Sequence, residues 1–164
     1  MSALTLRIVA IDDDPTMCEM IADMLRKKFP GTEVEIYNTG EDALSTLSLA
    51  PDLVILDYQL DSVKADAMNG IQVLTKLRER YPQLPIIFLS SQDRMEVATN
   101  TIKYGARDYI VKNETAFQKL ELAIGSLLSY NELKKSHGFQ KTMSTVVWVL
   151  LFLMIAYMIY LRFS

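Results

Sequence analysis

The stretch "IVAIDDDP", residues 8–15, decides how the rest of the chain is read. An apolar, β-prone run ends in three adjacent carboxylates, Asp12, Asp13 and Asp14, and then a proline. The run suits a buried strand, and it extends back through "LTLR" to residue 4. Asp14 can cap the helix that follows, and Pro15 fits that helix's first turn. Adjacent anions repel one another, so Asp12 and Asp13 are either solvated or neighbours of something positive.

The same alternation continues outward. Met17, Ile21, Met24, Leu25 and Phe29 recur at helical spacing, and Pro30 and Gly31 end that helix. "EVEIYN", 33–38, alternates as a strand, and residues 40–49 read as a short helix. "LVIL", 53–56, is a buried strand, followed by a polar loop, 57–69, and an amphipathic helix, 70–81. "PIIFL", 85–89, a helix over 93–104, "DYIV" at 108–111 and a last helix over 114–134 complete the pattern. Strands separated by helices of this length require crossovers, so the sheet is expected to be parallel and covered on both faces. Ligands of such sheets sit at the carboxyl ends of the strands. There the sequence places Asp12 and Asp13, Asp57, Ser90 with Ser91, and Lys112.

Composition narrows the function. The 164 residues carry a formal charge of −3 without a long basic block, which argues against nucleic-acid binding. One cysteine, Cys18, allows no internal disulfide, and one histidine, His137, allows no histidine metal cluster. Residues 143–161, "MSTVVWVLLFLMIAYMIYL", contain no charge, glycine or proline. At about 1.5 Å rise per residue they reach roughly 28 Å, the thickness of a bilayer's hydrocarbon core. Lys134, Lys135 and Lys141 precede this run, so the N-terminal part is expected on the cytoplasmic side of a single-pass anchor. The expected organisation is a soluble domain over 1–134, a linker over 135–142, a transmembrane helix over 143–161 and a short tail, 162–164.

"IVAIDDDP", "PDLVILDYQL", "LPIIFLSSQ" and "YGARDYIVK" together resemble the receiver domain of two-component response regulators, over about residues 4–134. The resemblance implies a flavodoxin-like, doubly wound α/β fold with strand order 2-1-3-4-5. It implies phosphorylation of Asp57 by transfer from a phosphohistidine on a histidine kinase or phosphotransfer protein. Asp12 and Asp13 match the family's acidic pair, Ser90 its hydroxyl position, Lys112 its lysine and Tyr109 its switching aromatic. Gln59 falls where the family uses a backbone carbonyl as a metal ligand. Mg²⁺, held by Asp13, Asp57 and the Gln59 carbonyl, with Asp12 acting through water, would reconcile the crowded acids. Lys112 and the Ser90 hydroxyl would each hold a phosphoryl oxygen.

Two departures stand out. Gly70 comes thirteen positions after Asp57, about five more than is usual, and "DYQLDSVKADAMNG" lacks the family's proline. Asn113 replaces the proline that usually follows the lysine, where it can cap the last helix. No output module is visible, so the expected output is contact with a downstream protein, a membrane protein included. The competing expectation is a pseudo-receiver, a membrane-tethered adaptor that signals without phosphate. Neither reading makes the chain an enzyme beyond handling its own phosphoryl group.

Overall fold

The apolar runs become five parallel strands: β1 (Arg7–Ile11), β2 (Glu33–Tyr37), β3 (Leu53–Leu56), β4 (Ile86–Ser90) and β5 (Asp108–Val111). They pair in the order β2-β1-β3-β4-β5, the order that the receiver resemblance implies. The computed structural model describes residues 6–60 and 67–130, together with Trp148.

Register aligns the strand ends. Ile11 stands opposite both Tyr37 and Leu56, so Asn38, Asp12 and Asp57 are the next residues of three adjacent strands. Leu56 pairs with Phe88, and Ser90 with Val111, which puts Lys112 just past the end of β5. β3 and β4 are buried at every residue, as strands in the middle of a doubly covered sheet must be.

Helices α1 (Pro15–Lys28), α2 (Gly40–Thr46), α3 (Gly70–Arg80) and α4 (Met95–Lys103) connect the strands. α1 buries Cys18, Ile21, Ala22 and Leu25. On the other face, α2 and α3 supply Ala43, Val73, Leu74 and Leu77 to a core shared with Val9, Ile11, Val54, Leu56, Ile86 and Phe88. Each buried aliphatic of this kind contributes about 1.5–3 kcal/mol. Helical residues 116–122 (α5) close the compact unit that carries the sheet, which ends at Leu122. Of the second unit, from Ala123 onward, residues 123–130 are helical.

Several ends differ from the sequence reading. α2 stops at Thr46 rather than residue 49. Leu47 turns to an extended conformation and is itself buried, so the last apolar residue plugs the core instead of prolonging the helix. α4 starts at Met95 rather than 93, with Arg94 supplying no side-chain cap. Asp14 caps α1 as expected, accepting from Thr16 N at 2.9 Å. The proposed linker 135–142, the apolar run 143–161 apart from Trp148, and the tail 162–164 lie outside the described residues, as does the middle of the long loop, 61–66. Among the described residues, no helix is long and apolar enough to cross a membrane.

Two polar clusters brace the sheet away from the acids. Arg78 of α3 donates to the Leu84 carbonyl at 2.6 Å, the Pro82 carbonyl at 3.0 Å and the Gly105 carbonyl at 3.1 Å. One guanidinium thereby satisfies the loops that lead into β4 and β5. On the β1–β2 edge, Arg7 pairs with Glu35 at 2.6 Å, and Tyr37 donates to the same carboxylate at 2.9 Å. Cys18 is fully buried, its thiol lies 3.5 Å from the Asp12 carbonyl, and burial pushes that thiol up to about 12.

Candidate functional site

Asp12 and Asp13 follow β1 and Asp57 follows β3, on adjacent strands that end in register. One carboxylate oxygen from each lies within 4.8 Å of the others. Asp12 and Asp57 are buried, and Asp13 is half-buried. The three side chains thus share a centre, as the sequence reading requires.

The neighbouring positive charge is Lys112. Its ammonium lies 2.7 Å from Asp12 Oδ2 and 2.7 Å from Asp57 Oδ2, and only 12 % of the side chain is exposed. The sequence reading assigns Lys112 to an incoming phosphoryl oxygen, and here it also bridges two of the acids. Burial raises the Asp12 and Asp57 carboxyls above the usual range, against the opposing pull of Lys112. Burial works to lower Lys112, but its bonds to Asp12 and Asp57 prevail and raise it. With all groups ionised, three carboxylates against one ammonium leave a formal charge of −2.

That residual charge and the donor chemistry fit a hard divalent cation. The cluster offers only oxygens, the ligand type that Mg²⁺ takes, and they lie within 4.8 Å of one another. Asp57 is also held by the backbone. Tyr58 N donates to its Oδ1 at 2.6 Å and Gln59 N at 3.4 Å, while Oδ2 faces Lys112. Both oxygens of this carboxylate therefore have fixed directions.

Across the site, Ser90 is the buried last residue of β4, and its Oγ accepts from Gln92 N at 3.2 Å. Tyr109 of β5 reaches over the same turn and donates to the Gln92 carbonyl at 2.6 Å. Its ring stacks on Phe88 at 6.4 Å between centroids. Burial raises the Tyr109 phenol, and a bond with the Ser90 hydroxyl acts the other way. Ser90, Tyr109 and the turn at Gln92 thus form one hydrogen-bonded group.

Residues 8–124 match the family described as the response regulator receiver domain. The chain belongs to that family. Receivers are phospho-accepting signalling domains of two-component systems, phosphorylated on aspartate by histidine kinases, and they bind Mg²⁺ at an acidic pocket. This receiver is 28 % identical over 136 residues to the transcriptional regulatory protein ZraR of Klebsiella oxytoca, covering 83 % of this chain and 29 % of ZraR. It is 34 % identical over 108 residues to a putative NtrX-like response regulator of Rickettsia felis, covering 65 % of this chain and 22 % of that protein. The chain therefore spans less than a third of the length of either relative. The solved receiver domain of NtrX from Brucella abortus is similar in fold, with a TM-score of 0.66 and 27 % identity, covering 74 % of this chain and 98 % of that one.

One group at this receiver's site, Asn38, is given no role in the sequence reading. Asn38, just past β2, donates its side-chain amide to the Asp12 carbonyl at 3.1 Å. The strand-end rule that picks out Asp12 and Asp57 would have reached it, since β2 ends on the same edge. Gly70 N donates to the Tyr58 carbonyl at 2.9 Å, and a Cβ at Gly70 would overlap the Asp57 carbonyl. Only glycine permits that approach. The Lys112–Asn113 bond is trans, which avoids the roughly 3 kcal/mol cost of a cis bond before a non-proline residue. Asn113 Oδ1 accepts from Thr115 N at 3.0 Å, a turn two residues ahead of α5 rather than the helix cap expected of it, because the helix starts at 116 and not at 114.

Proposed function

We propose that Asp57 accepts the phosphoryl group, and that Asp12, Asp13 and Asp57, with the Gln59 carbonyl, hold the Mg²⁺ that this transfer needs. The observation that carries the reading is the placement of Asp57, with both oxygens held, between Lys112 and the acidic pair. An Asp57 carboxylate oxygen forms the new bond to phosphorus while the bond from phosphorus to the donor's imidazole nitrogen breaks. Lys112 opposes the protonation that burial favours at Asp57 and is placed to take a phosphoryl oxygen. Bound Mg²⁺ supplies charge neutralisation for the incoming group.

Ser90 and Tyr109 are the switch in this reading. A phosphoryl oxygen draws the Ser90 hydroxyl away from the turn at Gln92, which frees Tyr109 and alters the surface around α4 and β5. The donor is a histidine kinase or phosphotransfer protein, and the output is contact with a downstream protein. The apolar run 143–161, with lysines before it, supports a single-pass anchor that holds the receiver on the cytoplasmic side. Carbonate extraction of membranes containing the full chain tests the anchor: release into the soluble fraction overturns it.

Intact mass after incubation of the full chain with acetyl phosphate tests the phosphoryl acceptor. The expected result is one phosphoryl increment that requires Mg²⁺ and disappears in Asp57→Asn. An unchanged mass with Mg²⁺ present, or an increment retained by Asp57→Asn, overturns the assignment.

A further inference from the structure

The long loop after Asp57 returns to the fold through three consecutive amides, each with a defined partner. Met68 N donates to Glu41 Oε1 at 2.8 Å, Asn69 N to Gln72 Oε1 at 2.9 Å and Gly70 N to the Tyr58 carbonyl at 2.9 Å. The Asn69 partner belongs to the helix that this return begins, where Asn69 and Gln72 form a capping box. The Gly70 partner belongs to the loop's own start. Glu41 is different: it stands in the first turn of α2, 27 residues before Met68 in the chain, and it ties the loop's end to an independent element.

Two close approaches make that tie bear on the acids. A Cβ at Gly40, next to Glu41, would overlap Val73 Cγ2 of α3, so the start of α2 sits directly on α3. A Cβ at Gly70 would overlap the Asp57 carbonyl, so the start of α3 sits directly on the backbone of Asp57. α2, α3 and the Asp57–Tyr58 turn are therefore stacked without slack. A displacement of Met68 is passed through Gly70 to the backbone whose amides orient the Asp57 carboxylate.

We propose that Glu41 is a positioning residue of the acid site: by accepting from the Met68 amide it fixes where the long loop rejoins the fold, and so sets the cation affinity of the Asp12–Asp13–Asp57 cluster. The proposal rests on the cation reading of that cluster given above. The chemistry requires an acceptor oxygen at position 41, not a charge, so glutamine is expected to replace glutamate and alanine is not.

The test compares full-chain wild type, Glu41→Gln and Glu41→Ala. Hydrogen exchange of the segment covering residues 67–70 reads the tether, and titration with Mg²⁺ alone reads the site. Loss of the bond in Glu41→Ala is expected to speed exchange of the Met68 amide and weaken Mg²⁺ binding, each by about tenfold. Glu41→Gln should stay near wild type in both. Unchanged Mg²⁺ affinity in Glu41→Ala overturns the proposal. Equal weakening in both variants also overturns it, because the charge at the start of α2 would then be the cause. A wild-type chain that binds no Mg²⁺ refutes the cation reading of the acids and this proposal's second half with it, while the exchange comparison still judges the tether.

Discussion

Lys112 Nζ lies 2.7 Å from Asp57 Oδ2, and it is held there from the other side by Asp12 at the same distance. The bridge joins the end of β5 to the ends of β1 and β3, so one side chain links three of the five strands at the site. It also makes the acids tolerable before any cation arrives.

Replacing Lys112 with methionine leaves Asp12 and Asp57 buried without that partner. The expected loss is about 3 kcal/mol of stability at neutral pH in a metal-free solution. Saturating Mg²⁺ should recover part of it by mass action on the folded state. Urea denaturation with and without Mg²⁺ measures both, and a variant as stable as wild type under each condition would contradict the bridge's role.

Gly70→Ala should destabilise the fold by about 1–3 kcal/mol, because the new methyl meets the Asp57 carbonyl and the Phe88 ring edge at once. Backbone on one side and a buried ring on the other leave little room to yield. The denaturation midpoint is the readout.

Arg78→Lys should behave like Arg78→Met rather than like wild type. A lysine keeps the charge, but a single ammonium cannot reproduce a planar fork reaching the carbonyls of Pro82, Leu84 and Gly105. Both variants are expected to lose about 2 kcal/mol, and recovery of wild-type stability by lysine would show that charge alone matters there.

The β1–β2 edge gives a pH dependence with a definite sign. The bond from Arg7, then the bond from Tyr37, hold the Glu35 carboxyl below its usual value against partial burial. A depressed folded value means that the stabilisation is present above the unfolded value, near pH 4.3, and is lost as the pH falls through the folded value. The difference in melting temperature between wild type and Glu35→Gln should therefore shrink as the pH is lowered from 6 to 3. A gap that widens on acidification would reverse the assignment.

Parallel strands explain what could be read from sequence alone. They all finish on one edge, so Asp12, Asp57, Ser90 and Lys112, at or just past the ends of their strands, had to meet once the strand periods were recognised. β3 and β5 match their expected bounds because continuous apolar runs flanked by polar residues leave little freedom. The supports of the site were not legible in the same way. Glu41, Asn38 and, through Gly105, Arg78 act on backbone amides and carbonyls far along the chain. Every residue offers the same amide and carbonyl, so no residue type at the other end marks the pairing. The end of α2 failed for a related reason: whether Leu47 continues a helix or plugs a core depends on a neighbour that local periodicity does not contain.

The seclusion of Cys18 has a practical reach. It is the protein's sole thiol, it is shut away between α1 and the sheet, and its proton is held tightly enough to suppress thiolate at ordinary pH. A cysteine introduced on an exposed position, such as Met95 of α4, would be the one site that maleimide dyes or nitroxide spin labels attack. The mobility or emission of that single label could then follow the α4 surface through a phosphorylation cycle on an otherwise native background.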